Sequence, residues 1–342
     1  MNILLVTDAW RPQVNGVVRT LEEVTARLEA LGHHVRVVAP DQFRTLPLPS
    51  YPEIRLSLAL PGALRRIIGD FGPDQVHIAT EGPLGWAARA ACLSKGIGFT
   101  TSYHTRFPEY LRARLPVPVE FTYAALRRFH NSGIGCLVAT KSIEDELRAR
   151  GFVNLVRWTR GVDQTLYRPR PGDGLAEAMG WKRPIFLNVG RLAVEKNLEA
   201  FLGLDLPGTK VIVGDGPQRA ELERRFPDAV FTGARFGEEL ARHYAAADVF
   251  VFPSLTDTFG NVLLEALACG TPVAAFPAPG PLDVIGESGA GVLDEDLGKA
   301  ATAALDIPRE AALHHAAQYS WDECVRVFLE AGMARTRTAA AG

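Results

Sequence analysis

The sequence is poor in sulfur, in net charge and in long apolar runs. Its 342 residues include four cysteines and three methionines. Cys92, Cys136, Cys269 and Cys324 show neither metal-ligand nor Cys-x-x-Cys spacing. That excludes a zinc ribbon, a thioredoxin-like motif and a disulfide scaffold, and leaves reduced thiols in a cytoplasmic protein as the expectation. No apolar run reaches the roughly 18 residues that a membrane span needs, so any membrane contact is expected to be peripheral. The start, MNILLVTDAW, lacks a basic n-region and a cleavage site and reads as a buried strand rather than a signal peptide. A net charge of −2 gives no global reason to expect nucleic acid. The charge is unevenly spread, however. Residues 1–160 carry 20 Lys+Arg against 14 Asp+Glu, and residues 161–342 carry 17 against 25. Two domains with different partners would produce such a split.

What the chain does have is alternation. NILLVTD is a continuous apolar run, as a strand buried on both faces should be. The helical pattern VVRTLEEVTARLEALG follows, stopping at Gly32. HVRVVAP, QVHIA, GFTTSYH and GCLVAT read as further strands with helices between them. Prolines and glycines cluster at 161–174, which reads as a linker. A second series then runs through PIFLNVG, a helix from about Asn197, TKVIVGDG, AVFTG, DVFVFPS and TPVAAF. The β-α-β rhythm predicts two Rossmann-like α/β domains, each with a doubly wound parallel sheet. The expected division is 1–162, joined by a last helix at about 319–336, and 163–318.

Ligands of open α/β sheets bind at the carboxyl ends of strands, and the distinctive residues cluster there. RPQVNGVV follows the first strand, with Gln13, Asn15 and Gly16 on its turn. GRLAVEKN places Arg191 and Lys196 beyond Gly190, a pair of cations suited to a diphosphate. GDGPQR begins at Gly214 and imitates a dinucleotide fingerprint, but Arg219 stands where the third glycine belongs. In SLTDTFGNVLLEALACG, Thr258, Phe259, Gly260, Asn261 and Val262 form a helix start that suits an anion. Asp257 and Glu265 flank it and are placed to accept hydrogen bonds from sugar hydroxyls. His104 ends the strand FTTSY. Arg106, Arg112, Arg114, Arg127 and Arg128 lie among aromatics over 104–130 and suit an anionic membrane surface, or an ordinary amphipathic helix with aromatics in the core.

TDAWRPQVNGV, VGRLAVEKN, VGDGP, AAADVFVFPS and DTFGNVLLEALACGTPV, in that order, resemble the family 4 retaining glycosyltransferases of the GT-B fold over nearly the whole chain. Within that family the chain resembles the bacterial α-mannosyltransferases and the diacylglycerol and sulfolipid sugar transferases. The resemblance implies two domains facing across a cleft, with the helix after YSWDE crossing back to the first. It implies that Gly16 contacts phosphate, that Arg191 and Lys196 clamp the diphosphate, and that His104 lies near the donor sugar. Glu265 would be the second acid of E-x7-E, on the ribose, and Ala234, Arg235 and Phe236 would form the base-binding loop. The first acid of that motif is Asp257 here, one methylene shorter. The implied reaction transfers a hexose, from a UDP-hexose, a UDP-hexuronic acid or GDP-mannose, with retention to an acceptor such as diacylglycerol at a membrane, with a GDP-mannose-dependent α-mannosyltransferase acting on a glycan or another lipid as the alternative. On this reading there is no acidic metal cluster such as D-x-D, and neither metal nor other cofactor is expected. A GT-B sugar-nucleotide 2-epimerase and a silent nucleotide-sugar-binding protein remain alternatives. An NAD-dependent dehydrogenase would need a clean glycine fingerprint that DAWRPQVNG lacks.

Overall fold

The structure, a computed structural model, describes residues 1–13, 15–48, 51–104, 106, 108 and 118–333. It divides into two compact units. One comprises Met1–Arg160 together with the chain from Trp321 onward, the other Gly161–Ser320.

The first unit contains strands β1 (Asn2–Val6), β2 (His34–Val38), β3 (Thr45–Leu48), β4 (Tyr51–Ser57), β5 (Gln75–Ile78), β6 (Thr100–Tyr103), β7 (Gly135–Val138) and β8 (Leu155–Arg157). Six of them form a parallel sheet in the order β2-β1-β5-β6-β7-β8, while β3 and β4 pair separately as an antiparallel hairpin. The described helices are α1 (Gly16–Ala30), α2 (Pro61–Phe71), α3 (Pro83–Lys95), α4 (Val119–His130) and α5 (Lys141–Ala149). In α1, Val18, Leu21, Val24 and Leu28 are buried at spacings of three and four, the stripe a sheet-packing helix needs. Gly32, at φ +82°, donates its N–H to the Glu29 carbonyl and ends that helix.

The second unit holds β9 (Ile185–Val189), β10 (Thr209–Val213), β11 (Val230–Gly233), β12 (Val249–Phe252), β13 (Val273–Ala275) and β14 (Gly291–Leu293), in the order β11-β10-β9-β12-β13-β14. Its helices are α6 (Leu175–Ala178), α7 (Leu198–Leu202), α8 (Arg219–Arg225), α9 (Gly237–Ala246), α10 (Asn261–Ala268), α11 (Pro279–Val284), α12 (Leu297–Ala303) and α13 (Arg309–Ala316). The strand order reverses between β1 and β5 in one unit and between β9 and β12 in the other. These switch points are where open parallel sheets bind ligands.

The final helix, α14 (Trp321–Met333), packs in the first unit against α1, β5 and β7. Trp321, Cys324, Val325, Phe328 and Ala331 form its buried stripe. Two long-range hydrogen bonds hold it, from Trp158 Nε1 to the Cys324 carbonyl (2.9 Å) and from Gln75 Nε2 to the Phe328 carbonyl (3.1 Å).

The stretch 161–174, read above as a linker, is fastened to the second unit. Val162 and Tyr167 are buried, Arg170 pairs with Glu238, and Asp173 pairs with Arg242. Its prolines and glycines shape turns, but its apolar residues pack. The helix expected from Asn197 is α7, which is preceded by a 3-10 turn at Val194–Lys196.

Candidate active site

At the second unit's switch point, the chain leaving β9 runs through Gly190 and Arg191 to the 3-10 turn that ends on Lys196. Three side-chain hydrogen bonds tie this turn to the chain leaving β12. Asn197 Nδ2 donates to the Pro253 carbonyl (3.1 Å), and the hydroxyls of Ser254 and Thr256 donate to the Glu195 carbonyl (3.3 and 3.4 Å). Asn197 itself is left-handed, at φ +52°, a conformation asparagine tolerates better than most residues. Lys196 is thereby brought to Asp257, with Nζ at 2.7 and 2.8 Å from the two carboxylate oxygens. The two side chains are 29% and 24% exposed, so the pair is accessible from solvent.

Gly260, at φ +88°, begins α10 and, being a glycine, offers no side-chain cap of its own. A Cβ there would come within 3.2–3.3 Å of Leu263 and Phe252, so a side chain meets both strain and crowding. Phe259 is buried against Tyr319, whereas Thr258, Asn261 and Val262 are half-buried. Glu265, one turn further along, is 7% exposed and accepts a hydrogen bond from the Tyr244 hydroxyl of α9 (2.8 Å). The two acids of the motif therefore have different local partners, a cation for Asp257 and a phenol for Glu265.

The glycines of GDG have a packing cause. A Cβ on Gly214 would lie 1.8 Å from the Gly190 carbonyl, and one on Gly216 would lie 2.4 Å from that of Leu192. Backbone bonds from Leu192 to Asp215 (2.9 Å) and from Gln218 to Leu192 (3.0 Å) strap the two turns together. Beyond β11, Ala234 and Phe236 are exposed, and Arg235 pairs with Glu239 at 3.0 Å. One motif was overlooked: Asp294-Glu295-Asp296, after β14, is a D-x-D. Asp294 pairs with Lys299 (2.6 Å), and Asp296 caps α12 through the Lys299 N–H (3.1 Å). Local ion pairing and capping account for both carboxylates.

In the first unit the switch point is filled by the protein's own carboxylate. Asp8, just past β1, accepts from the N–H groups of Leu84 (2.9 Å) and Gly85 (3.1 Å) and from the Thr80 hydroxyl (3.0 Å), which closes the start of α3. Burial raises its carboxyl above the ordinary value, against the lowering by those hydrogen bonds. At the start of α1, Asn15 accepts from the N–H groups of Val17 and Val18, both at 3.0 Å, while Gly16 opens the helix. Gln13 donates to the Asp8 carbonyl (3.4 Å) and accepts from Asn15 (3.3 Å). His104, beyond β6, is half-buried, with Nδ1 at 3.2 Å from Arg160 and Nε2 at 2.8 Å from the Ser102 hydroxyl.

The basic segment is only partly described, because Arg112 and Arg114 lie outside the described residues. Arg106 pairs with Glu146, which also accepts from the Tyr123 hydroxyl (3.0 Å). On α4, Tyr123, Leu126 and Phe129 are core, whereas Phe121 (73% exposed), Arg127 and Arg128 face outward.

Residues 14–166 match the family described as Glycosyltransferase Family 4, and residues 183–308 match Glycosyl transferases group 1. A GDP-mannose-dependent α-mannosyltransferase of Mycobacterium tuberculosis is 34% identical over 86% of this chain and 83% of its own length. The sulfoquinovosyl transferase SQD2 of Arabidopsis thaliana is 33% identical over 80% of this chain and 59% of its own length. The chain belongs to the family 4 glycosyltransferases. In fold, this glycosyltransferase resembles the sucrose-phosphate synthase of Thermosynechococcus elongatus, with a TM-score of 0.77 at 20% identity over the whole of both chains. It also resembles Anabaena HepE, solved with UDP, with a TM-score of 0.72 at 16% identity over 96% and 99% of the chains. The fold is GT-B, with two parallel-sheet α/β units.

Sequence reasoning missed several residues that position this transferase's candidate site. Asn197 and Ser254 fasten the Lys196 turn, and Tyr244 bonds Glu265. Gly280 is another: a Cβ there would lie 2.8 Å from the Asp257 carbonyl and 2.9 Å from that of Phe259. The adjacent Lys-Asn pair and the Pro-Gly-Pro turn were the available signals, but neither names its partner.

Proposed function

We propose that this glycosyltransferase moves a mannosyl residue from GDP-mannose to a hydroxyl of a membrane lipid, giving an α-linkage with retained configuration and without a metal ion. The observation that carries the reading is Lys196 held on Asp257 across the second unit's switch point, beside the start of α10. On donor binding, Lys196 exchanges the carboxylate for a diphosphate oxygen, and Asp257 turns to a sugar hydroxyl. Lys196, Arg191 and the helix start stabilise the charge that grows on the leaving diphosphate. The bond from the anomeric carbon to phosphate breaks, the bond to the acceptor oxygen forms, and the acceptor proton goes to the departing diphosphate. Glu265 holds the ribose, and the 234–236 loop takes the base.

The choice of donor follows three GDP-mannose-dependent α-mannosyltransferases that are 32–34% identical to this chain. The lipid acceptor follows the outward face of α4, where Phe121 and Arg128 fall two turns apart, and an α-monoglucosyldiacylglycerol synthase of Streptococcus pneumoniae that is 26% identical. A second reading, transfer of a glucosyl or sulfoquinovosyl residue in place of mannose, is favoured by the names of that synthase and of SQD2.

The test is turnover of GDP-mannose and of UDP-hexoses on diacylglycerol vesicles in the presence of EDTA, with the product anomer read by NMR. An α-mannosyl lipid formed equally with EDTA is expected. Product from UDP-hexoses alone moves the assignment to the second reading. Loss of product in EDTA, restored by a divalent ion, overturns the metal-free mechanism.

A further inference from the structure

The first unit's switch point holds an acid that the proposed transfer leaves unassigned. Glu81 follows β5 as Asp8 follows β1, so the two strands that flank the switch point each deliver a carboxyl group to it. Both neighbours of Glu81 touch Asp8. The Thr80 hydroxyl accepts from the Asp8 N–H (2.6 Å) and donates to the Asp8 carboxylate (3.0 Å). A Cβ on Gly82 would lie 2.3 Å from the Asp8 carboxyl carbon.

The two acids are held differently. Asp8 is committed to the start of α3. Glu81 is held from behind: its Oε1 accepts from Nε2 of His130 (3.0 Å), whose ring is wholly buried on α4. The other ring nitrogen, Nδ1, lies 2.9 Å from the Thr101 hydroxyl and 3.5 Å from Cys136 Sγ. That hydroxyl gives its own proton to the Gly135 carbonyl (3.5 Å), so it has lone pairs left for the ring. Both ring nitrogens thus donate, and His130 is an imidazolium. Burial opposes this charge, but Cys136 and Glu81 outweigh it and push the ring up to about 10.

A buried ion pair adds little net stability, because desolvation offsets its attraction. What this pair does is fix a carboxylate in place. A carboxylate offers about four lone-pair sites, and Oε2 of Glu81 accepts no hydrogen bond among the described residues. The side chain is 17% exposed, with the imidazolium on its buried side. We propose that Glu81, positioned by His130, binds a headgroup hydroxyl of the acceptor lipid, and that this contact selects an uncharged glycerol or sugar headgroup over one that carries phosphate. This rests on the reading of the protein as a transferase to a lipid hydroxyl. A hydroxyl donates to the waiting carboxylate. A phosphate diester in the same place offers only acceptors and sets like charge against it.

The test is calorimetric binding of dioctanoylglycerol and of dioctanoylphosphatidylglycerol to the full-length protein, without donor. Both lipids present hydroxyls on the same two chains, and only the second carries a phosphate. The native protein is expected to bind the first about tenfold more tightly. Glu81→Gln should lose about tenfold in affinity for the first and little for the second, so that the preference closes. His130→Leu should narrow the preference in the same way, and His130→Gln, which keeps an N–H donor, should recover part of it. Equal or tighter binding of the phosphatidylglycerol by the native protein overturns the proposal, and that measurement needs no variant to fold. So does a Glu81→Gln protein with native affinities, or failure of the native protein to bind either lipid. A folded His130→Leu protein with the native preference removes the positioning role. The expected binding pattern without turnover of any sugar nucleotide overturns the transferase reading separately, because binding is read without a donor.

Discussion

The two parallel-sheet units present the same opportunity at their switch points and use it in opposite ways. In the first, the helix after the crossing strand is α3, and Asp8 fills its start by accepting from two of its N–H groups, with a third bond from the Thr80 hydroxyl. In the second, the corresponding helix is α10, which begins on Gly260 and has the Lys196–Asp257 pair beside it. A helix start attracts anions through its N–H groups and its dipole. One unit satisfies that attraction internally. The other places beside its helix start a cation, Lys196, held on Asp257. On the proposed function, it is the second unit that carries the diphosphate.

The comparison can be broken most severely through the first unit's core. Phe328 is wholly buried on α14, so Phe328→Ala should destabilise the protein by about 3–5 kcal/mol in urea unfolding. Nucleotide binding should survive below the transition if the second unit is the donor site. Lys196→Ala comes next. Its kcat/KM should drop by about 10²–10³-fold with little change in Tm, because Nζ makes its contacts in a partly exposed site. Near-normal turnover contradicts the diphosphate assignment.

Asp8 sharpens the other side. Asp8→Ala strands three donors and should lose about 1–3 kcal/mol, with nucleotide affinity unchanged. Its folded carboxyl is raised above the ordinary 3.8. The folded state thus holds this proton more tightly than the unfolded chain. That contribution to stability is complete below pH 3.8 and fades as the pH rises through the folded value. Asp8→Asn should abolish this slope in Tm measured from about pH 3 to 6, and a slope that persists assigns it to other carboxyls. A smaller effect is expected of Tyr244→Phe. Loss of one hydrogen bond to Glu265 should raise the KM for the donor about fivefold, and an unchanged KM removes Glu265 from the ribose. Smallest is Arg128→Glu, which should weaken binding to anionic vesicles by about 1–2 kcal/mol in a co-sedimentation assay.

The central strands were legible because burial on both faces leaves unbroken apolar runs such as NILLV and VFVF. The short β8 and β14 and the β3–β4 hairpin lack that signature and were not read. The 161–174 stretch misled because proline and glycine mark turns whether or not a chain is free. Val162 and Tyr167 show that it is not. At the site, the residue types were readable but their partners were not. Lys196 has acidic neighbours in sequence at Glu195 and Glu199, but its carboxylate partner lies 61 residues away, brought by strand order. Arg160 carried no signal at all, since its partner is reached only when β6 and the end of β8 come together.

The measurement that tests the account most directly is thermal stabilisation by GDP and by UDP, with EDTA, in the native protein, Lys196→Ala and Asp8→Asn. A ligand bound only by the folded state raises Tm, by more as its concentration exceeds Kd. The account predicts that GDP raises Tm in the native and Asp8→Asn proteins, and that Lys196→Ala loses the shift. Equal stabilisation of Lys196→Ala, or its loss in Asp8→Asn alone, would place the diphosphate in the first unit and contradict the account.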